Sequence, residues 1–560
     1  MKIRFKNYII MILLTIIIAI PLFQSNIDIY RDDGIQHVCR LMGTYQSITE
    51  GQTFPVIMSE FCNQFGYSWN LFYSPLTAYM PLMFQLVTNS FVICLKCFII
   101  FIVALSGITM YEFLYKVTKN QYAALLGACI YLLAPYRMTD IYMRVAIAEL
   151  ASFAFLPLVF HGLYNIFSIE EEDKKKSGIL LAVGSIGLML SHLVIAMYVA
   201  IFAMFYVIIH IKQLKDKAVL KKLLLNLCLI LCVTSFYWGP MLEHKINTSY
   251  EVFEAGRMED TNKLLYYKSD LLDLIYTNKG DMIVEIGLVT IVGIILTGIA
   301  FSKVEKKNKK VYIFSLAAGL ISIIMALKWF PFEKLPAILK MLQFSFRMFE
   351  FSSFFLAFIA AINYSLVIKN FRARDVYTLI FIILLLTVPL TKNLNYRSSF
   401  QEESLWPAVS VNDKTKRVHA GCASFEYLPS KAFDHLDYIK TRENNSLLLE
   451  GNASILSEEK RGTSLQFVIQ TQSETKVELP YIYYLGYQVI IEKNGEEKEV
   501  PIFESSNGFI AINLPENIEG KVTVSYVGTP IMKLTMIISI MGITFMVLYY
   551  VRKRNKEKEE

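Results

Sequence analysis

Apolar runs long enough to cross about 30 Å of hydrocarbon recur from one end of this chain to the other. No other feature restricts its fold so strongly. Inside a bilayer every backbone polar group must find its partner within the protein, so such runs become helices that pack on one another. Run length and flanking charge give about twelve crossings. They lie near residues 8–24, 91–115, 121–135, 146–167, 178–191, 193–211, 222–240, 282–301, 311–328, 344–368, 376–391 and 531–551. Composition agrees: the 560 residues are 54% hydrophobic and 18% charged, against about a quarter charged in soluble domains.

Charge sets the expected orientation. Met1-Lys2-Ile3-Arg4-Phe5-Lys6 leads into the first apolar run with no small-residue cleavage site before Asn26, which predicts an uncleaved anchor with its N-terminus inside. Every basic loop then falls on that same side: Lys116 and Lys119; Lys174–Lys176; Lys212 to Lys222; Lys303 to Lys310; Lys369, Arg372 and Arg374; and the tail Arg552-Lys553-Arg554. This is the positive-inside pattern, so the net charge of +7 is no sign of nucleic acid. Residues 72–90, with Ser74-Pro75 and Pro81, are not expected to cross.

Four pieces then lie outside: 25–90, 241–281, 329–343 and 392–529. The last reads as a β-sandwich-like domain. Ser464–Ile469 and Lys521–Tyr526 alternate polar and apolar residues, as half-buried strands do. Asn494-Gly495 and Asn507-Gly508 are turn signals. Residues 530–560 form a last membrane helix and a basic tail. Of the eight cysteines, Cys39, Cys62 and Cys422 face outside, where a disulfide among them is open.

The same parity gathers polar residues at one face. Asp32, Asp33 and His37 follow the first helix. Arg137, Asp140 and Arg144 lie in the turn after the third, and Glu149 is about one turn into the fourth. His192 sits between the fifth and sixth; Glu243 and His244 open the middle outer loop; Arg347 and Glu350 begin the tenth. Charges at membrane helices are expensive and mark a pathway or a site. Singly each has an ordinary explanation: an Asp-Asp pair is most often a solvated loop, and Arg347 would snorkel to the headgroups. Arg144 and Glu149 are five apart, which is not ideal helical spacing. The pooled pattern is stronger than any member. There is no Walker A loop, dinucleotide glycine fingerprint, HExxH or paired CxxC signature. An outer-face enzyme would therefore need an energy-rich donor already in the membrane, and a polyprenyl-phosphate sugar is the obvious class.

The motifs Asp33-Gly34-x-x-His37, Gly51-x-x-x-Pro55, Phe65-Gly66-Tyr67 and Phe72-Tyr73-Ser74-Pro75-Leu76 carry a resemblance that runs on through most of the chain. It continues in Arg144 to Glu149 with Pro157-Leu158, Ser191-His192, Gln343-Phe344-x-x-Arg347, Leu479-Pro480-Tyr481 and Tyr484-x-Gly486-Tyr487. The chain resembles the bacterial multi-spanning proteins labelled pyruvoyl-tetrahydropterin synthase-related, and the neighbouring YfhO-like proteins. Both are similar to the GT-C superfamily of polyprenyl-phosphate-sugar-dependent glycosyltransferases. Where that family often has Pro-Trp before the arginine, this chain has Ser345-Phe346.

The resemblance implies a GT-C-like α-helical polytopic module over 1–391, followed by the extracytoplasmic β-rich domain at 392–529. It also implies a bacterial plasma membrane location with both termini cytoplasmic. The activity implied is transfer of a monosaccharide to an envelope glycan, lipid or protein acceptor at the outer face. Asp33 would be the catalytic carboxylate, with Asp32 second and Glu149 beside them. Arg144, Arg347, His37 and His192 would hold the donor phosphate and sugar, and Tyr67 and Tyr73 would stack on sugar. Some superfamily members use a divalent metal, for which Asp32, Asp33 and His37 are the candidates. Two rival expectations stand: a membrane transporter or lipid flippase, and a non-catalytic glycan-binding scaffold.

Overall fold

A computed structural model describes residues 2–23, 32–168, 179–254, 264, 268–277, 284–368, 422 and 424–559. Its helical part is built from helices α1 (Lys2–Ala19), α2 (Asp33–Thr49), α3 (Phe91–Thr118), α4 (Gln121–Leu132), α5 (Ile147–Ile166) and α6 (Leu180–Ser191), then α7 (Leu193–Ile209), α8 (Lys217–Asn247), α9 (Leu288–Ile295), α10 (Lys309–Ala326), α11 (Met348–Val367) and α12 (Pro530–Glu559). Seven segments are long and apolar enough to cross a membrane: Arg4–Phe23, Phe91–Thr118, Ile147–Ile166, Lys217–Asn247, Lys306–Ala326, Ser345–Val367 and Pro530–Arg552. Four other expected crossings correspond to the shorter apolar helices Gln121–Leu132, Leu180–Ser191, Leu193–Ile209 and Leu288–Lys303. The expected crossing at 376–391 lies outside the described residues. Residues 72–90 form only the short helical turns Leu76–Leu82 and Met83–Leu86 within their length, so no crossing occurs there.

Burial separates centre from rim. The apolar stretches of α5 and of Ser345–Val367 are 89% and 83% buried, whereas that of Pro530–Arg552 is 17% buried. An apolar helix left so bare faces lipid. Lipid tails are as apolar as leucine, so helix pairs here depend on close backbone approach at small residues. A Cβ on Gly162 of α5 would stand 2.4 Å from the Leu181 backbone nitrogen of α6, and one on Gly184 would stand 2.7 Å from that of Val159. On the rim, Gly239 of α8 approaches Thr535 of α12 in the same way, and the Ser235 and Ser539 hydroxyls meet at 3.0 Å.

The two ends of the bundle differ. At one end Asn308 donates to the Val117 carbonyl at 2.9 Å and accepts from Tyr164 at 3.0 Å. Lys310 there reaches the Ile209 carbonyl, and Arg4 pairs with Glu112. Several of the basic loops therefore gather at this end, as the charge pattern requires. The other end carries the β domain.

Among the described residues that domain has nine antiparallel strands, β1 (Leu447–Glu450), β2 (Ala453–Arg461), β3 (Ser464–Thr471), β4 (Thr475–Ile482), β5 (Tyr487–Lys493), β6 (Glu496–Val500), β7 (Ile502–Glu504), β8 (Phe509–Leu514) and β9 (Glu519–Tyr526), in two sheets ordered β1-β4-β8-β7 and β2-β3-β9-β5-β6. The two alternating segments become β3 (Ser464–Thr471) and β9 (Glu519–Tyr526), paired directly with Ser464 opposite Ser525. Their inward residues Leu465, Phe467, Ile469, Val522 and Val524 are buried. Asn494-Gly495 turns the β5–β6 hairpin with φ of 53° and 81°. Both central residues of such a turn need positive φ.

The core of this domain does not stop at its own strands. Ile57, Phe61, Phe65, Tyr67 and Trp69 of the first loop share one cluster with Leu479, Tyr484 and Phe509. Cys62, Asn63 and Gln64 have consecutive positive φ of 52°, 57° and 68°. That tight left-handed turn seats Phe65, whose carbonyl accepts from Ile482 at 3.1 Å. Asn63 donates to the Ile439 and Arg442 carbonyls, and Lys460 donates to the Gln64 and Pro480 carbonyls. Cys62 and Cys422 are free thiols with sulfurs 3.2 Å apart.

A buried charge cluster as the candidate active site

The Asp-Asp-Gly-x-x-His segment is a helix start. Asp32 precedes α2 with φ 48°, and Asp33 opens its first turn, where the helix dipole favours a carboxylate. Asp33, His37, Arg40 and Thr44 fall at i, i+4, i+7 and i+11, which is one face of the helix.

Arg144 joins this helix to the rest of the cluster. Its guanidinium lies 3.3 Å from Asp33, 4.0 Å from Asp32, 2.9 Å from Asp140 and 2.9 Å from Glu149. The spacing of Arg144 and Glu149 becomes productive because the chain between them is not α-helical. Asp140–Arg144 is a π-helical turn, ended by Val145 in the left-handed region at φ 52°. The Ala146 amide then returns to the Asp140 carbonyl at 3.0 Å. A β-branched residue at positive φ is a genuine outlier, and such strain concentrates at functional sites.

Glu149 is the hub. It accepts from Tyr136 Oη at 2.6 Å, from both terminal nitrogens of Arg144 at 2.9 and 3.1 Å, and from Arg347 Nε at 2.8 Å. Arg347 also donates through Nη1 to Leu342 O and Gln343 Oε1. It is 7% exposed, so it does not snorkel; it is turned inward. Deeper still, Glu350 accepts from Ser152, and Arg137 donates to Ser106, midway along the 28-residue α3. Arg137 Nε and Nη1, Asp140 Oδ2 and Glu350 Oε2 are buried without hydrogen-bond partners among the described residues.

A cavity of about 350 Å³ adjoins the cluster. Tyr73, His192, Lys245, Gln343 and Arg347 give it polar walls, and Leu193, Val194 and Met197 of α7 with Met241 and Leu242 of α8 give it apolar ones. His192 caps α7, its Nδ1 accepting from the Ile195 amide at 3.3 Å, which leaves Nε2 to carry the proton. His37 packs edge-on to Tyr73 at 5.9 Å. Burial, with Arg40 beside it, pushes the His37 imidazole down to about 3, so it stays neutral.

Two expected roles change with the geometry. Tyr67 does not face a sugar site: it is fully buried, with its hydroxyl bonded to the Cys422 carbonyl and the Tyr427 amide. Its aromatic mass serves the first-loop core. Among the described residues, no three His, Cys, Asp or Glu side chains converge as a metal site would need, so Asp32, Asp33 and His37 do not form a ligand set. Glu243 and His244 turn to Thr529 and Tyr250 rather than to the cluster.

Arg40 was not anticipated. It is 1% exposed with no carboxylate partner among the described residues, donating to Asn70 Oδ1 and Thr77 Oγ1 and to the Tyr73 and Ser74 carbonyls. It thereby fixes the wall segment that carries Tyr73. The helical spacing from Asp33 through His37 was the available signal. Gln343 stands in the Gln343-Phe344-x-x-Arg347 motif, whereas Tyr136 and Lys245 gave no signal.

These features define a polytopic membrane protein with a buried acid–arginine cluster under a β domain. The chain belongs to the 6-pyruvoyl-tetrahydropterin synthase related domain family of membrane proteins, whose model matches residues 71–396. That match takes in Arg144, Glu149, His192 and Arg347 and begins after Asp32, Asp33 and His37. A protein of Lactococcus lactis subsp. cremoris (strain MG1363), described as uncharacterized, is 22% identical over 563 residues, covering 93% of this chain and 91% of its own.

Proposed function

We propose that this protein is an integral membrane glycosyltransferase, moving a monosaccharide from a polyprenyl-phosphate-linked donor to an envelope glycan, lipid or protein. One observation carries the reading. The cavity beside the cluster combines cationic groups, Arg347 and Lys245, with apolar flanks on membrane helices, the two chemistries of a prenyl phosphate. The motif resemblance to GT-C enzymes supports it independently.

The donor's phosphate sits toward Arg347 and Lys245, with its prenyl chain along α7 and α8 and the sugar against Tyr73. The acceptor hydroxyl attacks the anomeric carbon as the bond from that carbon to the phosphate oxygen breaks. Negative charge grows on the leaving phosphate, where fixed cations lower the barrier most. Asp33 takes the hydroxyl proton. Glu149, with both oxygens engaged, positions Arg144 and Arg347.

The test is transfer from a labelled polyprenyl-phosphate sugar by purified protein. A double Asp32→Asn, Asp33→Asn variant is expected to lose about 10²–10⁴-fold in rate; undiminished transfer removes the carboxylate mechanism. One observation favours transport instead, the descent of Arg137 to the middle of α3, because transporter sites lie near the bilayer midplane. Counterflow in proteoliposomes with no bond made or broken would establish that alternative.

A further inference from the structure

A second, larger cavity of about 690 Å³ lies across a shared wall from the first. Asn70, Leu71 and Pro75 face it, whereas Phe72, Tyr73 and Ser74 face the other. Helix α8 divides them in the same way, giving Phe236, Tyr237 and Pro240 to one and Met241, Leu242 and Lys245 to the other. Arg40 pins the wall from below, and Tyr237 donates to the Phe72 carbonyl at 2.7 Å. The two spaces are therefore separate sites.

The second cavity is amphipathic along the membrane normal. Its lower walls are Phe236 and Pro240 of α8 and Met532, Met536 and Ile537 of α12, both helices apolar enough to cross the bilayer. Its upper wall is hydroxylic: Thr463, Ser464 and Ser525 at the paired ends of β3 and β9, with Gln52 and Thr53 opposite. Phe54, Val527 and Ile537 stand exposed at its edge, where apolar side chains suit lipid and not water.

It carries one charge of each sign. Glu50 keeps its negative charge, but its two oxygens are held by Gln46 and Ser59. Lys533 is exposed and forms no ion pair among the described residues. It stands on the first turn of α12, at the level where headgroups meet the hydrocarbon.

We propose that this cavity binds a membrane lipid with a net-negative, phosphate-bearing head. The phosphate pairs with Lys533, the head hydroxyls meet Ser464 and Ser525, and the tails run down Phe236, Met536 and Ile537. The volume lies within the range of ligand pockets. The proposal stands without the transferase reading, because it rests on binding alone.

The test is native mass spectrometry of the full chain released from detergent, titrated with phosphatidylglycerol or with zwitterionic phosphatidylcholine. Phosphatidylglycerol is expected to be retained in preference, and Lys533→Ala to weaken its retention about tenfold, the worth of one charge-assisted hydrogen bond. Ser464→Trp, which fills the upper chamber, should abolish retention while an unchanged melting temperature reports intact folding. Lys533→Ala replaces an exposed side chain and keeps the test independent of folding. Equal retention by wild type and Lys533→Ala would mean annular lipid only and overturn the proposal. Equal retention of the two lipids would do the same.

Discussion

Glu149 accepts four hydrogen bonds from three residues, and a carboxylate so occupied has no lone pair to offer a substrate. Asp33 differs: its side chain is 46% exposed and Arg144 touches one oxygen. The packed half of that side chain, with Glu149 nearby, raises the Asp33 carboxyl above the ordinary carboxylate range, and Arg144 opposes that rise. A base works only when ionised, so its activity is present above its pKa and lost as pH falls through it. The acid limb of kcat/KM for transfer is therefore expected above about pH 4, the ordinary aspartate value. A pH profile with the limb at or below that value would show that the Asp33 carboxyl is not raised, and a limb unmoved by Asp33→Glu would remove Asp33 from the role. The carboxylates, Arg144, His192 and Arg347 were legible because charge is conspicuous among apolar helices. Tyr136 was not, since a tyrosine near a membrane face has ordinary reasons to be there. Arg40 was hidden among neutral partners, and an arginine bonded only to amides, hydroxyls and carbonyls leaves no complementary charge to search for.

At the scale of elements, the site depends on departures from regular helix. The π-helical turn Asp140–Arg144 and the left-handed Val145 aim Arg144 back at Glu149; an unbroken helix would set them on different faces. Helix periodicity cannot foresee this, because it assumes the α geometry that is broken here. Regular elements fared better: the alternating segments are strands, and Asn494-Gly495 is a hairpin turn. The regular helices also hold the irregular ones in place. Gly162 and Gly184 bring α5, which carries Glu149, against α6, which ends at His192. Gly184→Val would press on backbone atoms that cannot rotate away. It is expected to cost about 1–3 kcal/mol, the range for overpacking, read as a lowered melting temperature in detergent. An unchanged melt would show that the two helices can separate freely.

At the scale of the molecule, the membrane bundle and the β domain are joined through the first loop. A division at 391 separates chain segments, but the apolar core runs across it, from Phe61 and Trp69 to Leu479 and Phe509. Lys460 secures the join, with Nζ donating to Gln64 O, Asn444 Oδ1 and Pro480 O. Lys460→Met strands these acceptors and is expected to cost about 1–3 kcal/mol. The loss should appear as faster proteolysis within 50–69, and equal proteolysis of the two proteins would deny Lys460 this role. The join also imposes an order of assembly. Cys62 and its neighbour Cys422 are 360 residues apart, and at ribosomal speed that distance takes on the order of tens of seconds to synthesise. Through that interval Phe61, Phe65, Tyr67 and Trp69 are without their β-domain partners, open to proteases and to other unfinished chains. The first-loop core thus closes only when the last strands arrive.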